Sequence, residues 1–323
     1  MTLGTMPDGT PSPAPQNSSS WRSAGALAAR IAEMQQKARQ RAECEKRTPL
    51  PGAPLPRNVM QLPLWPDPMR GVPNGFLRSA LFGAVKKGAR AYLERAEIHA
   101  QDGITIRYTG ARLDQGDLDV WETVLHFARI QALGNECRTT AYQLLKALGK
   151  TDTGKNRETL DRRLSRMKAT ALDVNVGRGY EGSLIDEVLR DKGSRAYIIR
   201  LNPKLRALFE PDQFTQVEWA IRHAMDGHQL AQWLHGYYAS HAKPFPVRVE
   251  TLHRLCGSEA ERMDHFREKL RKALDAVAAA SDARGQPFAY AIRGDLVHVQ
   301  RTPSQPQRRH LRKQGGTSRK PGP

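Results

Sequence analysis

The chain writes one local plan twice. In RTTAYQLLKALG (138–149) the apolar spacing is helical, Thr139 or Thr140 stands where an N-cap belongs, and Gly149 is a stop. A polar turn, KTDTGK, leads into NRETLDRRLSRMKATAL (156–172), a longer helix, and then into the β-rich pieces LDVNV, SLIDEVL and AYIIRL, separated by GRGYEG and DKGS. The order recurs in ETLHRLCG (250–257), a long helix RMDHFREKLRKALDAVAAA (262–280), and a hairpin FAYAIRGDLVHVQ (288–300) turning at Arg293-Gly294-Asp295. Leu144 and Gly149 correspond to Leu252 and Gly257 at equal spacing. Helical segments at 117–133 and 228–241 precede the two copies, the second followed by a short strand, PFPVRV. Helix, helix, turn, helix, hairpin is the order of a winged helix. The expected fold class is therefore α+β, with a first winged-helix domain over 76–212 and a second over 213–301. A further strand pair, AEIHA and ITIRYTG, is expected around Gln101-Asp102-Gly103.

The flanks read differently. Residues 1–60 are expected to be a disordered or weakly helical region ending in a Pro-rich linker (TPLPGAPLPRN), and 302–323 a basic disordered tail. The 323 residues carry 51 Lys and Arg against 33 Asp and Glu, a net charge of +18. Residues 1–60 supply +4 of it and 301–323 supply +7, so the excess concentrates at the ends. Such a balance points to an anionic partner, but tail charge gives only non-specific attraction. Specific binding needs basic surface in the folded middle.

The two long helices supply that surface. At about 100° per residue, Leu160, Leu164, Met167 and Ala171 form the buried stripe of the first. Lys155, Thr159, Arg162 and Arg166 fall on the other side, with Arg163 beside them. In the second, Met263, Phe266, Leu270, Leu274 and Val277 face inward, and Arg262, His265, Lys269 and Lys272 lie opposite. Asp264, Glu268 and Asp275 share a third sector, as Glu158 and Asp161 do on the first helix. A solvated helix usually mixes signs, whereas a recognition helix gathers cations opposite its core to meet base edges and phosphates. Arg178 in GRGYEG and Arg293 at the second hairpin are placed where a wing would touch DNA. The expected ligand is double-stranded DNA.

The segments LWPDPMRGVPN (64–74), RSALF (78–82), ITIRYTGARL, YQLLKALG, LDRRLSRMKATAL, KPFPVRVETLHRLCGS and GDLVHVQR resemble, in order, the TrfA-type replication initiators of broad-host-range plasmids. The likeness covers about 61–301. It implies tandem winged helices on direct repeats (iterons) of a plasmid origin, opening of adjacent AT-rich DNA, and recruitment of the host initiator and replicative helicase. It also implies monomers in equilibrium with dimers. Within 61–75, Gln61-Leu62-Pro63-Leu64-Trp65 resembles the QLxLF peptide that docks on the bacterial sliding clamp, with Gln61 as polar anchor and Leu62, Leu64 and Trp65 as apolar contacts. The alternative is that these apolar residues pack on their own domain.

Other chemistries find little footing. Gly149–Asn156 nearly matches the GxxxxGK[ST] phosphate loop, but Asn156 stands where a Mg²⁺-binding hydroxyl belongs and a helix precedes it instead of a strand. Tyr237-Tyr238 could serve a nicking enzyme only with a metal-binding His pair, and no His-x-His occurs. Cys44, Cys137 and Cys256 are too scattered for a disulfide framework or zinc, and Cys256 reads as a small core residue. No enzyme, cofactor or metal is expected. With no apolar run of membrane-spanning length and no secretory pattern at the start, a cytoplasmic protein without a membrane partner is expected. Alternatives are a repressor of the same fold and a phosphate-loop nucleotide hydrolase.

Overall fold

The computed structural model describes Gln36 and residues 62–317, except 86–87, 89, 102, 132–134, 176–178 and 192–195. The expectations for residues 1–60, Gln61 and Arg178 lie outside the described residues. The order begins β1 (Met69–Pro73), α1 (Asn74–Leu77), β2 (Phe82–Gly83), β3 (Tyr92–Glu97), β4 (Thr105–Ala111) and β5 (Leu113–Asp114). It continues with α2 (Gln115–Ala128), β6 (Glu136–Thr140), α3 (Ala141–Ala147), α4 (Gly154–Lys168), β7 (Ala171–Asn175), β8 (Gly179–Gly182), β9 (Glu187–Arg190) and β10 (Ala196–Arg200). A 3₁₀ turn (Pro203–Phe209) and β11 (Phe214–Glu218) lead to α5 (Trp219–Ala224), α6 (Gln229–Ala239), β12 (Val247–Arg248), α7 (Val249–Leu255), α8 (Met263–Asp282), β13 (Phe288–Arg293), β14 (Leu296–Arg301) and α9 (Gln305–Thr317).

Local chemistry explains the helix ends. Thr140 caps α3 in a reciprocal box with Gln143, and Gly149, at φ +63°, terminates it. Thr153 caps α4 by accepting from Asn156 N. Gly257, at φ +62°, repeats the stop after α7. The repeated plan holds in the sheets as well. Strands β6, β9 and β10 form a sheet of order β6-β10-β9, and β12, β13 and β14 one of order β12-β14-β13. In each, the strand before the short helix pairs with the last strand of the unit.

The first copy departs from expectation at its hairpin. The GYEG part of GRGYEG does not join that unit's three-stranded sheet: it is β8, which with β7 extends the β3–β4 pair into a separate sheet of order β3-β4-β7-β8. The hairpin equivalent to β13–β14 is β9–β10. Proximity in sequence to the long helix is misleading because β7 finds its partner in Thr105–Thr109, more than sixty residues earlier. Ala171, placed on the buried stripe of the long helix, lies instead in β7 and is exposed, since the helix ends at Lys168.

Two apolar cores follow the two copies. The first gathers around Trp121, Phe76, Phe82 and Tyr108 with Leu160, Leu164 and Met167 of α4. The second holds Phe266, Leu270, Leu274 and Val277 of α8 with Trp233, Tyr237, Tyr238 and Cys256. Val217 belongs to the first and Ile221 to the second. The change from one core to the other thus falls after β11, which pairs along its length with β1.

Leu62, Trp65 and Val72, from the 62–75 stretch, belong to the first core. Leu62 is buried, and Trp65, 3% exposed, stacks on Phe209 at 6.2 Å; of the three apolar residues assigned to docking, Leu64, 73% exposed, is the one that points out. Docking through Leu62 and Trp65 would empty this site, which corrects the clamp-peptide expectation. Gly71 admits the indole, because a Cβ there would lie 2.6 Å from the Trp65 ring.

Trp65 Nε1 donates to His126 Nδ1 (3.2 Å), as does Arg70 Nη1 (3.0 Å). Two donors on one nitrogen require a neutral ring. Burial, with the charges of Arg70 and Arg129, holds the His126 pKa down to about 4; burial does the same to His241, also to about 4. Depressed histidines support the fold above their ordinary 6.5 and withdraw that support as pH falls toward 4. The melting temperature should therefore decline between pH 6.5 and 4.5, less steeply in His126→Gln. A flat profile in the unsubstituted chain contradicts this network.

The C-terminal expectation also changes. Gln305–Thr317 is helical, not a disordered tail. Among the described residues, no helix is long and apolar enough to cross a membrane and no cluster of His, Cys, Asp or Glu could hold a metal ion.

Candidate nucleic-acid interface

Helix α4 presents two kinds of cation. Lys155 and Arg162 are exposed and Thr159 half-exposed. Thr159 Oγ1 donates to Lys155 O (2.9 Å), and Arg162 Nη2 donates to Thr159 Oγ1 (3.3 Å). Lys155 and Arg162 have no carboxylate partner among the described residues. These three residues form an outward row with charge available to a ligand.

Arg163 and Arg166 are committed elsewhere. Arg163 Nη1 lies 2.8 Å from Asp114 Oδ1, and Arg166 Nη1 lies 2.6 Å from Asp117 Oδ1. Asp114 is the N-cap of α2 and makes a capping box with Asp117, so both carboxylates are buried where the helix begins. Burial opposes the Asp114 charge, but Arg163, Arg90 and the Asp117 N–H outweigh it and hold its pKa down to about 2. Burial and the charge of Asp114 raise that of Asp117. The single stripe expected for α4 is thus corrected: Lys155, Thr159 and Arg162 face out, while Arg163 and Arg166 neutralise the start of α2. The signal that could have shown this is Asp114-Gln115-Gly116-Asp117 before an apolar run, a capping sequence whose paired acids need cations once buried.

All five side chains nonetheless line one cleft of about 780 Å³ between α4, the start of α2 and the Trp219–Gln232 segment. Arg90 and Lys150, absent from the sequence-based set, line it too. Lys150 pairs across it with Asp226, and His223 packs so closely on Gly149 that a Cβ there would clash. The cleft therefore mixes free charge with charge already balanced.

Helix α8 presents its row on the second core. His265 and Lys272 are exposed and Lys269 is half-exposed. Arg262, at the N-cap position, places Nε 3.1 Å from Asp264 Oδ1, and Lys272 Nζ lies 2.7 Å from Glu268 Oε1. The acids of the third sector thus reach two of the cations instead of standing apart. His265 and Lys269 have no ion pair among the described residues. Arg267 Nη2, 2.6 Å from Asp295 Oδ1, ties α8 to the β13–β14 tip, where Arg293 is exposed beside Gly294 at φ +60°. Arg178 lies outside the described residues.

The residues considered for other chemistry pack or bond within the fold. Tyr237 and Tyr238 are buried, Tyr237 stacked on Trp233 at 4.9 Å. Asn156 Nδ2 donates to Thr151 O (2.8 Å), closing the loop between α3 and α4 on itself. Burial pushes the Cys256 thiol up to about 12.

A protein-family description, "TrfA protein", matches residues 22–301. The plasmid replication initiator protein TrfA of Escherichia coli is 31% identical over 249 residues, which cover 73% of this chain and 63% of that protein. The chain thus spans less than two thirds of that relative's length. Two crystal structures of domains 2 and 3 of RctB superpose with TM-scores of 0.46 and 0.45 at 12% identity, over 71% and 70% of this chain and 96% of each of theirs. With its matched segment running through both copies of the repeated unit, the chain belongs to the TrfA protein family.

Proposed function

We propose that the chain is a plasmid replication initiator that binds direct repeats of origin DNA through two winged-helix units, with α4 and α8 as recognition helices. The observation that carries this reading is the equivalence of the two rows: Lys155, Thr159 and Arg162 on one long helix, Arg262, His265, Lys269 and Lys272 on the other. Both occupy the same place in the same order of elements. A monomer with two unequal reading heads suits direct repeats, which lack the two-fold axis a symmetric dimer would match. The reading extends, through the family, to opening of adjacent AT-rich DNA and recruitment of host initiator and helicase. It assigns no catalytic step: the tyrosines are buried and the 149–156 loop is a connection between helices.

Arg162→Ala and Lys269→Ala should each weaken binding to repeat DNA. If each side chain meets one phosphate, the log–log salt slope should fall by about 1 in each variant. Affinity and slope unchanged in both would refute the assignment of faces. A repressor of the same fold would bind the repeats but leave the adjacent duplex closed, which permanganate probing of unpaired thymines detects.

A further inference from the structure

The C-terminal helix α9 carries cationic surface that the repeated units do not use. Its start is fixed. Ser304 and Gln307 form a capping box: Gln307 N donates to Ser304 Oγ (3.5 Å) and Ser304 N donates to Gln307 Oε1 (3.0 Å). Gln307 Nε2 also donates to Ala239 O at the end of α6 (2.7 Å). Arg301, largely buried, donates to both Gln307 Oε1 (3.1 Å) and His241 O (3.2 Å). The helix is therefore docked on the second unit.

Its faces are sorted. At about 100° per residue, Arg308, Arg312 and Arg309 fall within roughly a 100° arc. Gln307 and Leu311 lie on the side that meets the protein, and Leu311 is half-buried. Arg308, Arg309 and Arg312 are exposed, and none has an ion pair or side-chain hydrogen bond among the described residues. Residues 302–317 contain no Asp or Glu, so nothing local balances them. The matched family segment ends at residue 301, just before this helix.

Position separates this face from the recognition rows. Thr302 and Arg301 sit beside Ser281 and Gln286, at the far end of α8 from Arg262 and His265. At 1.5 Å per residue, the root of α9 stands about 20–30 Å along α8 from Lys269 and Arg262. We propose that Arg308, Arg309 and Arg312 form a second, sequence-independent site for DNA phosphates, gripping backbone outside the groove read by α8. This rests on the chain being a DNA-binding protein but not on which helix reads bases.

The test compares the full chain with the triple variant Arg308→Gln/Arg309→Gln/Arg312→Gln on a repeat duplex and on a scrambled duplex of equal length. Three lost phosphate contacts should lower the salt slope by about 2.7 on both duplexes. Between 50 and 200 mM salt the original chain should then lose about 40-fold more affinity than the variant. The preference for repeat over scrambled DNA should not change. A triple Arg→Lys variant should keep the slope, which separates lost charge from lost folding. An unchanged slope in the Gln variant overturns the proposal, as does a changed preference between duplexes. If the original chain shows no preference for repeats, the reading under Proposed function fails while a slope difference on scrambled DNA still supports α9.

Discussion

Trp65→Ala should destabilise the protein by about 3–5 kcal/mol, the range for deleting a large buried aromatic side chain. The indole fills a pocket between Phe209 and Phe214, with the Arg129 guanidinium 5.7 Å from its ring centre. Its N–H is satisfied by His126 and its carbonyl accepts from Arg129 Nε (3.2 Å). Truncation would leave a cavity, remove one of the two donors to His126 Nδ1 and strip Arg129 of its aromatic neighbour. Leu64→Ala, one residue away on an exposed side chain, should change stability by no more than about 0.5 kcal/mol. Urea unfolding of the two variants measures the contrast. Equal small effects would mean that Trp65 is free to leave, and the docking-peptide alternative would return.

Arg222→Ala should cost about as much, roughly 3–5 kcal/mol, for an electrostatic reason. Its guanidinium is buried at the meeting of α2, α5 and α6. Nε lies 2.6 Å from Asp119 Oδ1 and 2.8 Å from Glu122 Oε1, while Nη1 and Nη2 donate to the side chain and backbone of Gln115, each at 3.0 Å. Removing it strands two buried carboxylates. Burial already pushes Glu122 up to about 8 even with Arg222 alongside. A carboxyl raised in this way supports the fold below its ordinary 4.5 and withdraws that support as pH rises through 8. The Arg222→Ala defect should therefore be greater at pH 8.5 than at pH 6. Arg222→Lys should recover only part of the loss, because an ammonium cannot reach Asp119, Glu122 and Gln115 at once. A cost below about 1 kcal/mol for the alanine variant would show that these groups are not held as a unit.

What could be read from the chain was local. The Thr140 cap, the stops at Gly149 and Gly257, and the inward stripes of both long helices follow from neighbours within one or two turns, and they carried the repeated unit. What could not be read was pairing at a distance. Alternation marks LDVNV as a strand but does not choose its partner, so the four-stranded sheet that takes β7 and β8 was hidden, and with it the true hairpin of the first unit. Helical geometry places Arg163 and Arg166 on a face but is silent about the buried Asp114 and Asp117 waiting there. At the C-terminus a local signal is present: Ser304-Gln305-Pro306-Gln307 is a capping sequence.

The same division applies to the interface. Opposite-to-core cations are legible from periodicity, and Lys155, Arg162, His265 and Lys269 emerge outward and without ion pairs among the described residues. Which cations are already neutralised depends on tertiary neighbours, as Arg262 with Asp264 and Lys272 with Glu268 illustrate. Arg262 and Lys272 can still turn to a phosphate, since exposed pairs of this kind hold little energy.

On the proposed reading, both long helices enter the major groove of repeat DNA. Guanine N7 faces that groove, so methylation protection on a repeat-bearing duplex reads it directly. Two protected clusters about one helical turn apart are predicted, the first lost in Arg162→Ala and the second in Lys269→Ala. Protection of a single groove, or two clusters that survive both substitutions, would contradict the account.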